Sequence, residues 1–247
     1  MNASTQRRLA IVTGGSRGLG LALLEAFERD GFRTLDLSRS GASDSERGRL
    51  HARVDLADPA ATADAVAREM DALAAEAWDE VVFVSNAGTL DPIGPLAASS
   101  PADWRRGIDV NLTSAITAMA LFVRAFQSSA ARKTLVSVSS GAGSRGVAGW
   151  SLYCATKAGL DNWIRAVAIE QERAAHPIRA VSIQPGVVDT QMQAEIRASD
   201  RDLFANVGHF VELKESGALY APADVARAML ALVAGEFEPG ALLRIEL

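Results

Sequence analysis

Short apolar, β-branched runs alternate with longer helix-like segments along nearly all 247 residues, and this alternation restricts the fold more than any other feature. LAIVT (9–13) reads as a strand and LGLALLEAFERDG (19–31) as a helix ending at Gly31. RTLDL (33–37) is a strand, RVDL (53–56) closes a weaker one, and 59–77 is a helix opened by Asp58 and Pro59. VVFVS (81–85), TLVSVSS (134–140), IRAVSIQ (178–184) and LLRIEL (242–247) read as further strands, with helical patterns over 102–130, 151–174 and 223–235. Parallel strands joined through helices cross over right-handed, so the pattern predicts an α/β fold: one parallel sheet with helices on both faces, a single domain over 1–247. Two segments are less regular. Residues 38–50 are polar and loop-like, whereas 191–220 follow a strand end, where lids over ligand sites tend to lie.

Composition removes several function classes. Hydrophobic residues make up 49% of the chain, enough for a sizeable core. The formal charge of -5 comes without a basic stripe, which argues against a nucleic-acid partner. Cys154 is the one cysteine, so no intrachain disulfide forms and a reducing compartment is expected. The N-terminal run lacks the apolar core of a secretion signal, and no stretch reads as a membrane span, so the expected location is the cytoplasm. The histidines at 51, 176 and 209 are scattered, and no metal site is expected.

Chemistry enters at the end of the first strand. Thr13-Gly-Gly-Ser-Arg-Gly-Leu-Gly20 joins that strand to a helix. Gly14 suits a tight turn, Gly18 a close backbone approach to a ligand, and Gly20 close helix–strand packing. The helix start beyond them offers unsatisfied N–H groups to an anion such as a pyrophosphate. In the second half, Tyr153 and Lys157 are four apart and share one helix face. Alone, such a pair is ordinarily a half-buried aromatic beside a solvated charge. A phenol titrates near 10, and a neighbouring ammonium, aided by the positive charge of a bound cofactor, is expected to lower that value towards neutrality, making it a general acid or base.

Taken together, T13-G-G-S-R-G-L-G20, N86-A-G88, Asn111 in DVNLTS, S139-S140, Y153-x-x-x-K157 and P185-G-V-V-D-T190 resemble the short-chain dehydrogenase/reductase family over nearly the whole chain. The stretch 149–158 with D189-T-Q-M-Q193 looks most like its sepiapterin reductase and benzil reductase branch. The resemblance implies a seven-stranded Rossmann-type sheet, order 3-2-1-4-5-6-7, with three helices on each face. It implies Tyr153 as proton donor, Lys157 as its tuner and ribose ligand, Ser140 as substrate orienter, and Asn111 as holder of a relay water. It assigns the cofactor to Gly14, Ser16, Arg17, Gly18, Leu19, Gly20, Ser38, Arg39, Asp55, Leu56, Asn86, Ala87, Gly88, Pro185, Gly186, Val188 and Thr190, besides Tyr153 and Lys157.

Ser38 stands where an acidic residue would select NAD, and Arg39 follows, so NADP(H) is expected over NAD(H): serine can donate to a 2′-phosphate and the guanidinium can pair with it. Asp36, two positions earlier on the same side of the strand, leaves NAD open. The substrate would meet Ser140, Trp150, Tyr153, Gly186 and Met192, with Phe204 and Phe210 adding an apolar wall. Arg244 falls where sepiapterin reductases carry a pterin-anchoring aspartate, and an arginine cannot accept the pterin N–H groups. The expected reaction is therefore reduction of a small carbonyl compound, such as an aromatic or vicinal diketone. The alternatives are an NAD-dependent alcohol dehydrogenase and a non-catalytic NADP(H)-sensing protein. The family commonly pairs through the helices at 102–130 and 151–174, so a homodimer or homotetramer is expected.

Overall fold

The computed structural model describes residues 6–41, 44 and 47–247; the N-terminal residues 1–5 and part of the 38–50 segment lie outside the described residues. The strands are β1 (Arg8–Thr13), β2 (Arg33–Ser38), β3 (Arg49–Arg53), β4 (Glu80–Ser85), β5 (Arg132–Val138), β6 (Ile178–Gln184) and β7 (Leu242–Arg244). All pair in parallel, in the order β3-β2-β1-β4-β5-β6-β7. The helices are α1 (Gly18–Arg29), α2 (Pro59–Ala74), α3 (Pro101–Ile108), α4 (Ser114–Phe126), α5 (Ser151–Gln171), α6 (Gln191–Arg197), α7 (Val207–Glu215) and α8 (Pro222–Ala234).

Alternation along the strands builds two cores. Leu9 and Ile11 of β1 face α2, α4 and α5, where Val66, Met70, Phe122, Phe126 and Ile164 are buried. Ala10 and Val12 face α1 and α8, packed by Leu23, Phe27, Val225 and Met229. Three helices thus cover one face and two the other, not three and three. The expected third helix is missing among the described residues: the sequence between β2 and β3 is polar and offers no apolar face to bury.

Local chemistry sets the element ends. The Asp58 side chain accepts from Ala61 N and caps α2, with Pro59 in its first turn. Ser100 and Asp103 form a reciprocal capping box at α3. The helix predicted over 102–130 is broken by a π-helical turn at Asp109–Thr113, which carries Asn111. Segment Pro101–Phe126 is long and apolar enough by composition to cross a membrane, contrary to the expectation that none is. Here it buries Ala115, Ala118, Met119, Phe122 and Phe126 against the sheet. β3 begins four residues before the RVDL run, where Arg49 pairs with Thr34 of β2 and its side chain makes a forked pair with Glu28 of α1, Nε–Oε1 2.6 Å and Nη2–Oε2 2.8 Å.

Candidate active site

The carboxyl ends of all seven strands open into one cleft of about 1630 Å³. At its floor Gly14 takes a φ of +72° and donates its N–H to Leu37 O at 2.9 Å. A Cβ on Gly20 would stand 2.1 Å from Gly14 O, so only glycine lets α1 start this close to β1. Arg17, before the first turn of α1, makes no side-chain cap, and the backbone of Gly18, Leu19 and Gly20 lines the cleft. That uncapped helix start fits the pyrophosphate of a dinucleotide. Thr13 locks the neighbouring strand: its hydroxyl accepts from Asn86 N at 2.9 Å and Ala87 N at 3.0 Å, while Asn86 Nδ2 donates to Thr13 O at 3.0 Å. Asn86 therefore braces the glycine turn, and Ala87 and Gly88 continue the wall.

At the β2 end, Asp36 is 1% exposed and both its oxygens are engaged, Oδ1 by Gly15 N at 2.9 Å and Oδ2 by Ser38 Oγ at 2.8 Å. Asp36 is thus withdrawn from the cleft wall. The expectation for Ser38 is corrected too: its hydroxyl donates to Asp36 and accepts from Gly41 N at 3.1 Å, leaving no donor for a phosphate. Arg39 and Arg17 are exposed and line the cleft together with Ser16, Ser38, Asp55 and Leu56.

Tyr153, Lys157 and Ser140 come together in the same cleft. Burial pushes the Tyr153 phenol up to about 12, and a polar contact with the Ser140 side chain pulls against that rise. Lys157 by itself does not offset that rise: its Nζ is 5.7 Å from the Tyr153 ring centroid and donates to Val138 O at 2.7 Å. Burial brings Lys157 itself down to about 8, with Asp161 opposing. Ser140 lies two residues beyond the end of β5, and its Oγ accepts from Ala142 N at 3.2 Å in a tight turn over Gly141–Gly143.

Asn111 does not line the cleft. Its Oδ1 accepts from Thr89 N at 2.8 Å and its Nδ2 donates to Thr89 O at 2.7 Å. The side chain thus braces the 86–89 turn from the π-helical turn over Asp109–Thr113.

The substrate end is apolar. Trp150 stacks on Phe204, with centroids 5.1 Å apart and planes at 12°, and lies edge-on to Tyr153 at 6.0 Å. Met192 and Phe210 line the cleft; Phe204, 1% exposed, packs behind Trp150 and forms no wall. Pro185, Gly186, Val188 and Thr190 follow β6 along the same wall, and α6 and α7 lie beyond them.

The model of the family described as short chain dehydrogenase matches residues 8–201. The chain belongs to the short-chain dehydrogenase family. It is 33% identical over 239 residues to a benzil reductase ((S)-benzoin forming) of Bacillus subtilis, covering 96% of this chain and 98% of that one. It is 34% identical over 256 residues to a cis-4-hydroxycyclohexanecarboxylate dehydrogenase of Sinomonas cyclohexanicum, covering 100% and 98%. Among solved structures, that of the KRED1-Pglu enzyme superposes with a TM-score of 0.81 at 27% identity, covering 95% of this chain and 99% of that one. This short-chain dehydrogenase is thus an NAD(P)-dependent oxidoreductase.

Sequence reasoning missed two polar residues of the short-chain dehydrogenase site. Asp161 accepts from Ser139 Oγ at 2.7 Å, and its place one turn beyond Lys157 on the same helix face was a usable signal. Gln184 donates from Nε2 to Ser140 O at 3.2 Å and to Ser144 Oγ at 3.3 Å, holding the serine turn to the end of β6. Nothing in its local sequence marks it.

Proposed function

We propose that the chain is an NADPH-dependent carbonyl reductase acting on a small ketone, with aromatic or vicinal diketones as the preferred class. The observation that carries this is the Tyr153 phenol, still protonated far above neutral pH, beside Ser140 in the cleft that the start of α1 also lines. A bound reduced nicotinamide supplies the hydride. Tyr153 donates its phenolic proton to the carbonyl oxygen as negative charge develops there, and the Ser140 hydroxyl orients that oxygen. The Lys157 ammonium stabilises the phenolate left behind and offers donors to the ribose. Asn111 braces the turn against which the cofactor lies. Arg17, Arg39, the glycine loop 14–20, Asp55, Leu56, Asn86 to Gly88 and the 185–190 segment hold the cofactor. Trp150, Met192 and Gly186 bound the substrate, and 191–220 forms a lid over it.

NADP(H) is favoured by the withdrawal of Asp36 into hydrogen bonds and the exposure of Arg39 and Arg17 on the cleft wall. The diketone class is favoured by the likeness to benzil reductases of Bacillus subtilis and Bacillus cereus, and by Arg244 on the cleft wall, which has no acceptor for a pterin. The likeness to the Sinomonas dehydrogenase favours a second reading, oxidation of a cyclic secondary alcohol with NAD. A panel of benzil, simple α-diketones, cyclohexanones and pterins with NADPH and NADH separates them by cofactor absorbance. The proposal expects fastest NADPH oxidation with the diketones; turnover confined to alcohols with NAD would replace it by the second reading. We further propose a cytoplasmic homodimer or homotetramer, joined through the outer faces of α4 and α5, where Ile169 is exposed.

A further inference from the structure

Asp161 is a buried acid that the proposed chemistry does not use. It lies on α5 one turn beyond Lys157 and is 3% exposed. Its Oδ2 accepts the Ser139 hydroxyl at 2.7 Å, whereas its Oδ1 is shut off from solvent with no hydrogen-bond partner among the described residues. The turn over 141–143 closes directly on it: a Cβ at Gly143 would stand 2.9 Å from Oδ2. One neutral donor is poor compensation for a buried carboxylate, so its retention needs a counter-charge.

Lys157 answers that need. The helix places the two on one face, and no contact ion pair forms among the described residues, because the ammonium is bound to Val138 O. They therefore act on each other through the buried space between them. Other charged groups do not act on the lysine, although Arg106 and Arg145 line the same cleft. Arg132 and Lys133 of β5 and Arg179 of β6 sit at the opposite strand ends, and Asp109 of the π-helical turn, Arg105 and Arg106 of α3, and Arg145 beyond the serine turn are not among the groups that act on Lys157. On α5 itself, the Tyr153 phenol is uncharged at neutral pH. Burial and Asp161 are what set the lysine's charge, in opposite directions.

We propose that Asp161 is a positioning residue of this site: it is the counter-charge that keeps Lys157 an ammonium beside Tyr153, and the acceptor that fixes the Ser139–Ser140 turn against α5. Its kinetic consequence rests on the carbonyl-reductase reading; its effect on the lysine does not.

The chain has three lysines, at 133, 157 and 214, so protein carrying lysine labelled with 13C at Cε gives three signals, assigned with Lys133→Arg and Lys214→Arg. The Lys157 signal is expected to titrate near pH 8 in the wild type. In Asp161→Asn, which keeps an acceptor for Ser139 but not the charge, the midpoint falls by about one pH unit or more. In Ser139→Ala it stays put, and Asp161→Glu restores it. In carbonyl reduction, the alkaline limb of kcat moves acid-ward in Asp161→Asn with the ketone KM unchanged. An unmoved Lys157 midpoint in folded Asp161→Asn overturns the proposal. If that variant does not fold, Asp161→Thr takes its place; failure of both to fold, with Ser139→Ala folded, makes Asp161 a fold anchor and also overturns it. A wild type that turns over no carbonyl sinks the reductase reading, and the lysine titration still decides the role of Asp161.

Discussion

At the scale of single residues, burial sets the charge states of the site. Tyr153, pushed up to about 12, stays a proton donor throughout the neutral range, while Lys157, brought down to about 8, loses its charge first. Carbonyl reduction needs both groups protonated. Its kcat/KM should therefore hold below pH 8 and fall as pH rises through the lysine value, which a pH series from 6 to 10 reads directly. The cofactor end rests on single side chains too. Arg39→Ala should weaken NADPH binding about ten- to a hundredfold and leave NADH binding nearly unchanged, as measured by fluorescence titration. The tyrosine and lysine were visible as a pair from their spacing, but their roles, and the serine, came only from the resemblance to the family. Ser38 and Asp36 were not legible, because strand alternation gives a side chain's face but not its hydrogen-bond partner: Gly15 N and Ser38 Oγ claim Asp36, and Asp36 in turn claims Ser38.

Elements turn those residues into a site. The β4 and β5 ends and the start of α5 supply Asn86, Ser140 and Tyr153 from segments far apart in sequence, so their relative positions depend on the packing of α4 and α5 against the sheet. Phe122 stands at the centre of that packing, fully buried and 5.3 Å from Phe83 and 5.2 Å from Phe126 between ring centroids. Phe122→Ala should cost about 3–5 kcal/mol in denaturant unfolding, by leaving a cavity between α4 and β4. Strand and helix identities were readable because period 2 and period 3.6 differ over such lengths. The π-helical turn at 109–113 was not, since helical sequence continues on both sides and DVNLT contains no glycine or proline to mark a break. That turn carries Asn111, whose side chain bonds to the backbone of Thr89.

At the scale of the whole molecule, the parallel sheet gathers seven strand ends into one cleft, which an anion-seeking helix start and a buried phenol both line. The outer faces of α4 and α5 leave Ile169 65% exposed, and light scattering should give a mass two or four times that of the chain; a monomeric mass would contradict the proposed assembly. Because the glycine loop, Arg17 and Arg39 are proposed to carry most of the cofactor binding and Tyr153 the proton, binding and chemistry should be separable by one atom. The direct measurement is Tyr153→Phe with benzil and NADPH, following cofactor oxidation and, separately, cofactor binding. The account predicts turnover lowered by about a hundredfold or more, with the NADPH dissociation constant within a fewfold of the wild type. Turnover near the wild-type rate in that variant would contradict the role given to the phenol.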